Sequence, residues 1–164
     1  MAFSVTGGSY VSNGSLTGAA FASGAGILQL VFFDNAQYSS DDVTGDWITL
    51  KTISISNAQA QNSKLFVEFA CNESVTAGGA ETAQGEARIA VDSTQIGQKY
   101  TGVCAGNGYD NNVYSGNCLA TLVAGTNYTQ GTGFSILLQV KGTKNGATAS
   151  VTNRINGIVI FGVI

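Results

Sequence analysis

Ten carboxylates, three cysteines and no histidine are the side chains from which this sequence could build chemistry. Without histidine there is no Ser-His or Cys-His nucleophile pair and no histidine-ligated zinc. Three scattered cysteines do not make a four-cysteine metal site. No Gly-rich run stands between a strand and a helix with the spacing of a phosphate loop or a dinucleotide fingerprint. Paired carboxylates are the one arrangement left. Glu68, Glu73, Glu81, Glu86 and Asp92 could meet in space, but their spacing gives no reason to pair any two for acid–base work. No catalytic residue and no cofactor is assigned, and the sequence reads as that of a non-enzyme.

Three further groups invite a binding role. Asp41, Asp42 and Asp46 in "DDVTGD" are hard oxygen ligands close enough for Ca²⁺. They lack the alternating EF-hand spacing and its closing Glu, so a solvated acidic turn is the preferred reading and no metal is assigned. Cys104 and Cys118 flank "AGNGYDNNVYSGN". A disulfide there would close a loop of about fifteen residues and contribute about 3 kcal/mol in the chain-entropy model. Two adjacent short strands would bring the pair within reach, and two buried free thiols are the alternative in a reducing compartment. The expectation is a Cys104–Cys118 bridge, with Cys71 reduced on the inward face of its strand. The same loop also reads as a sugar-binding loop, with Tyr109 and Tyr114 as flat faces and Asp110, Asn111 and Asn112 as polar groups; an ordinary exposed turn is the competing reading.

The elements that must position these groups are strands. The 164 residues include 22 Gly and no Pro; 44% are hydrophobic and only 10% charged, against roughly 25% charged in an ordinary globular chain. Strand-formers alternate with small turn residues, and no window holds a 3.6-residue apolar period with caps, so an all-β chain without a long helix is expected. The net charge is −3 and the seven Lys and Arg are dispersed, which argues against nucleic acid. No apolar run is long enough for a membrane-spanning helix, and "MAFSVTGGSYVSNG" is not a signal peptide. So few charges suit a surface that neighbours will cover.

Residues 1–26 hold Gly, Ser, Ala and Thr with isolated large side chains at Phe3, Val5, Tyr10, Leu16 and Phe21, and no charge precedes Asp34. They are read as an assembly arm, the alternative being a disordered tail. The body, residues 27–164, opens on "ILQLVFF", apolar on both faces. In "WITLKTISIS", Ile48 and Leu50 share one face and Ile53 and Ile55 the other, which predicts a β-bulge near Lys51–Thr52. "KLFVEFAC" alternates cleanly, with Leu65, Val67, Phe69 and Cys71 inward. "GEARIAVD", "KYTGVC", "CLATLV", "TGFSILLQVK" and "ATASVT" add short strands, with turns expected at "STQIG" and "GTKNG". The closing "RINGIVIFGVI" is again apolar on both faces. Eight or nine antiparallel strands in a jelly-roll β-sandwich are expected, with residues 27–33 and 155–163 adjacent and central.

In "LFVEFAC", "ARIAVDSTQIG" and "INGIVIFGVI", over roughly residues 27–164, the chain resembles the jelly-roll modules of the tumour-necrosis-factor and C1q-like type, including those of phage structural proteins. That resemblance implies homo-oligomers, often trimers, with one sheet face against neighbours, and it carries no catalytic residues. The functional expectation is a non-enzymatic self-assembling structural protein of a virion: a capsid decoration, collar or tail-fibre protein, with itself and other structural proteins as partners. An extracellular filament subunit and a carbohydrate- or receptor-binding module are the alternatives.

Overall fold

A computed structural model describes residues 4–5, 9–10, 28–41, 45–105 and 110–163, with only the backbone described at 4–5, 9–10, 104–105 and 110–112. β1 (Ser4–Val5) and β2 (Ser9–Tyr10) form a small antiparallel pair. The body follows as β3 (Leu28–Asp34), β4 (Tyr38–Asp41), β5 (Ile48–Ile55), β6 (Lys64–Ala77), β7 (Thr82–Val91), β8 (Thr94–Ala105), β9 (Asp110–Val123), β10 (Phe134–Asn145) and β11 (Ser150–Val163). One 3-10 turn, Gln59–Gln61, is the helical element among the described residues.

The period-2 pattern decides which side chains go inside. Along β6, residues 65, 67, 69, 71, 73, 75 and 77 are all buried, and their alternates face outward. β7, β10 and β11 keep an inward set, with Ala87 and Ile89, Ile136 and Leu138, and Ile158 and Ile160 fully buried, while Glu86 and Ala90 on β7 and Gln139 on β10 are buried as well. Two antiparallel sheets result, ordered β3-β11-β6-β9, with β4 also on β11, and β5-β10-β7-β8. The pairs β3–β11, β5–β10, β6–β9 and β7–β8 are those of a two-stranded ribbon wound around a barrel, with its first and last strands together. The body is thus a nine-stranded antiparallel sandwich with jelly-roll topology.

The slip anticipated in β5 is present. Leu138 opposes Lys51 and Gln139 opposes Thr49, so Leu50 is the extra residue. The bulge lets Leu50 pack against the core that holds Ile53 and Ile55. Several strands exceed their expected lengths. The turn expected over "STQIG" is confined to Asp92 and Ser93, at φ 48° and 70°, and β8 begins at Thr94. Positive φ at both central residues matches the right-handed strand twist in a two-residue hairpin.

One expectation needs correcting. β11 is central, between β3 and β6, but β3 has only β11 beside it and lies at the sheet edge. A central position therefore does not account for the two-sided apolar character of β3, and its outward face needs a different explanation.

Candidate assembly surface

The outward residues of the β3-β11-β6-β9 sheet form cross-strand rows. Phe161 on β11 lies between Leu30 on β3 and Phe66 on β6. Val159 lies between Phe33 and Glu68, and Glu68 opposes Leu119 on β9. Val163 lies between Leu28 and Lys64. Leu28, Leu30, Phe33 and Leu119 are more than half exposed, and Phe66 is 39% exposed. These side chains make a clustered apolar patch on the sheet's outer face, bordered by Glu68 and Lys64, in contrast to the single apolar residues scattered over ordinary surfaces. At its β9 side a groove of about 540 Å³ opens between Phe66, Phe161, Leu119 and the stretch Gly97–Tyr100.

The opposite sheet presents a different outer face. Arg88 stacks over the Trp47 ring, 4.1 Å from its centroid, and donates from Nε to Gln139 Oε1 at 2.9 Å. Gln139 Nε2 donates to Thr49 Oγ1 at 3.1 Å, and Lys99 pairs with Glu86. That polar net is satisfied within the chain. The two faces of the sandwich thus differ: one is closed by its own hydrogen bonds and the other is left apolar.

At the open side of the sandwich, Lys51 Nζ reaches Asp34 Oδ2 at 3.0 Å and donates to the Tyr38 hydroxyl at 2.6 Å, joining β5 to β3 and β4. Tyr38 donates to Asp34 at 2.7 Å. The Tyr38 bond, then the Ala36 N–H and Lys51, hold the Asp34 carboxyl down at about 2.

The candidate residues from the sequence do not converge. Glu68 accepts from Asn117 at 2.8 Å on the apolar sheet's outer face. Glu86 faces outward on the other sheet, Glu81 holds Thr148 in the turn before β11, and Asp92 sits in its hairpin. Among the described residues no group of three or more His, Cys, Asp or Glu could hold a metal ion. Asp41 and Asp46 are exposed, and Asp42 lies outside the described residues. Phe3, Leu16, Phe21 and Tyr109 also lie outside them, and Val5, Tyr10, Asp110, Asn111 and Asn112 are described in backbone only. Tyr114 does not offer a free ring face for a sugar. It packs against Val75, Ala77, Ala83, Ala149 and Val151, and its hydroxyl donates to the Val103 carbonyl.

Cys118, expected to bridge Cys104, is a free, buried thiol, and the side chain of Cys104 lies outside the described residues. The Cys118 Sγ donates to the Ala87 carbonyl at 3.3 Å, and its thiol neighbour is Cys71, also free, which donates to the Gly116 carbonyl at 3.2 Å. Hydrogen bonding to Cys118 and then burial push the Cys71 thiol up. The physical reason lies in how β8 crosses β9: Gly102 meets Tyr114, Tyr100 meets Gly116 and Gly97 meets Leu119. Continuing that register puts Cys104 level with residue 112, about six residues or roughly 20 Å from Cys118. Bridged Cα atoms lie within about 7 Å.

Sequence reasoning named Glu73 among the carboxylates but gave it no inward position. The alternation that places Leu65 and Phe69 inside places residue 73 inside too, and its carboxyl is fully buried between the sheets.

No family model matches the sequence and no curated protein matches it. Among solved structures, the chain is similar to a protein in the structure of infectious bursal disease virus Gt strain, at 19% identity over 86% of this chain and 33% of that one, with a TM-score of 0.39. It is also similar to one in the structure of deformed wing virus carrying the GFP gene, at 7% identity over 84% of this chain and 46% of that one, with a TM-score of 0.34. The chain spans less than half the length of either. The jelly-roll assignment rests on the strand order itself.

Proposed function

We propose that this chain is a non-enzymatic structural protein that self-assembles through the outer face of the β3-β11-β6-β9 sheet, as a component of a virion. The observation that carries the reading is the apolar row Leu30–Phe161–Phe66, with Phe33, Val159 and Leu119 beside it, open to water on a single chain. Covering such a face with a second copy removes apolar area from water at about 25 cal/mol per Å². A chain with 10% charged residues sets little repulsion against that contact.

Residues 1–26 are the second part of the proposal: an assembly arm laid over a neighbouring copy. An arm with no charge suits the apolar part of that sheet face, and Phe3, Val5, Tyr10, Leu16 and Phe21 are anchors of the size that the groove beside Phe66 and Leu119 would accept. A trimer is the favoured closed form, and capsid decoration, collar or tail fibre are the roles that suit it.

Sedimentation velocity and electron microscopy of the full chain beside Phe161→Glu test this. The wild-type chain is expected to form a discrete oligomer. The variant, whose side chain points away from the core, is expected to keep its β-sheet circular dichroism and cooperative melt but sediment as a monomer. A wild-type monomer throughout the micromolar range, or a variant that assembles equally well, refutes the interface.

A further inference from the structure

Midway along the sandwich two cross-strand rows of three residues meet, with Gly85 and Gly102 of one row against Glu73 of the other. On one sheet Asn153 (β11), Glu73 (β6) and Tyr114 (β9) are directly paired across the strands. On the other, Gly142 (β10), Gly85 (β7) and Gly102 (β8) are paired in the same way. The glycines are what makes room. A Cβ at Gly85 would lie 2.8 Å from the Glu73 carboxyl and 2.9 Å from Asn153 Oδ1. One at Gly102 would lie 2.7 Å from Glu73 Oε2 and 2.9 Å from the Tyr114 side chain. This layer separates the main core from the small cluster of Val75, Ala77, Ala83, Ala149 and Val151.

Glu73 and Asn153 are fully buried. Glu73 Oε2 accepts the Gly102 N–H at 2.8 Å, a bond from one sheet to the edge strand of the other. Glu73 Oε1 and both amide atoms of Asn153 make no hydrogen bond with the described residues. The titratable side chains around the carboxyl are Tyr100 on β8, Tyr114 and Cys118 on β9, Cys71 on β6 itself and Glu86 on β7. None of these is a cation, and Lys99 on β8 is engaged by Glu86 on the outer face. A carboxylate here would be buried with no counter-charge among the described residues.

We propose that the Asn153–Glu73–Tyr114 row, closed against the Gly142–Gly85–Gly102 row, is an alkali-sensitive latch that holds the two sheets together while Glu73 keeps its proton. Burial pushes the carboxyl up to about 8 against the Gly102 hydrogen bond, and Cys118 and Glu86 add to the rise. Because the folded value lies above the ordinary 4.5, the contribution is fully present below about 4.5 and is lost as pH rises through about 8. Ionisation requires hydration. The edge strand nearest the carboxyl is β8, whose Gly102 N–H it accepts. The latch does not depend on assembly, so either reading can fail alone.

Urea unfolding of the full chain from pH 5 to pH 9.5, beside Glu73→Gln, tests it. Relative to the variant, the wild-type folding equilibrium should fall by up to about tenfold per pH unit as pH rises toward 8. Parallel pH profiles for the two proteins would overturn the latch. Should the variant not fold, carbon-13 NMR of the wild-type glutamate carboxyls decides the matter. One carboxyl titrating near 8 supports it, and all of them titrating in the ordinary range overturns it.

Discussion

At the residue scale, the side chains that could do chemistry have become parts of the packing. Cys71 and Cys118 occupy diagonal positions on β6 and β9, each donating its thiol proton to a carbonyl in a fully buried setting. Burial shields both thiols from reagents, and Cys71, whose pKa is raised, also carries little thiolate. Peptide mapping after native alkylation is expected to recover Cys71 and Cys118 unmodified, and alkylation in denaturant to label both. A peptide linking Cys104 to Cys118 would mean that β8 and β9 cross in another register. Glycine has its own part at this scale: the bare backbone at Gly85 and Gly102 lets a carboxyl and a tyrosine enter the space between the sheets.

At the element scale, β11 is the strand on which the two roles of the sandwich meet. Its inward residues Ile155, Ile158 and Ile160 are fully buried, while Val159, Phe161 and Val163 point outward between β3 and β6. A shift in register between Asn156 and Val159, beside Gly157 at φ 58°, puts both Ile155 and Ile158 inside. Burial alone therefore separates neighbours of similar size. Ile160→Ala is expected to cost about 2–5 kcal/mol of stability by opening a cavity in the core. Phe161→Ala should cost much less in the separated chain and show its effect in assembly. Chemical denaturation of both variants at a concentration where the chain is monomeric checks this. Equal losses would mean that the outer row is itself covered in the monomer.

At the scale of the whole molecule, the sandwich has one self-satisfied polar face and one open apolar face, and the proposed arm would cover the second on a neighbour. Ordering an arm costs roughly 1–2 kcal/mol per residue in backbone entropy. Burying each large side chain returns only about 1.5–3 kcal/mol. The balance is close, so backbone pairing along the free edge of β3 or another exposed strand must contribute. A chain starting at Ala25 is expected to keep the body's β-sheet spectrum and cooperative melt, and to lose or shift its assembly by light scattering and microscopy. Unchanged assembly would make residues 1–24 a passive tail and leave the sheet face to act alone.

The alternation in "KLFVEFAC" and "TGFSILLQVK", the parity break in "WITLKTISIS" and the two-sided "INGIVIFGVI" are local patterns. Local patterns suffice for strand identity, for inward and outward faces and for the bulge, because side-chain direction in a strand depends only on position along it. They also suffice for the jelly-roll reading, in which the first and last body strands pair. Which strand lies at an edge, where Cys118 finds its neighbour and what faces Glu73 were decided by contacts between residues far apart in the chain. β3 reads like a central strand because its outer face is as apolar as its inner one. Only the sheet order shows that its far side has no partner. Glu73 reads like any strand glutamate. Only the stacking of the two sheets places Gly85 and Gly102 opposite it and its neighbours, and that stacking is set by the winding of the whole ribbon, which no short stretch of sequence contains.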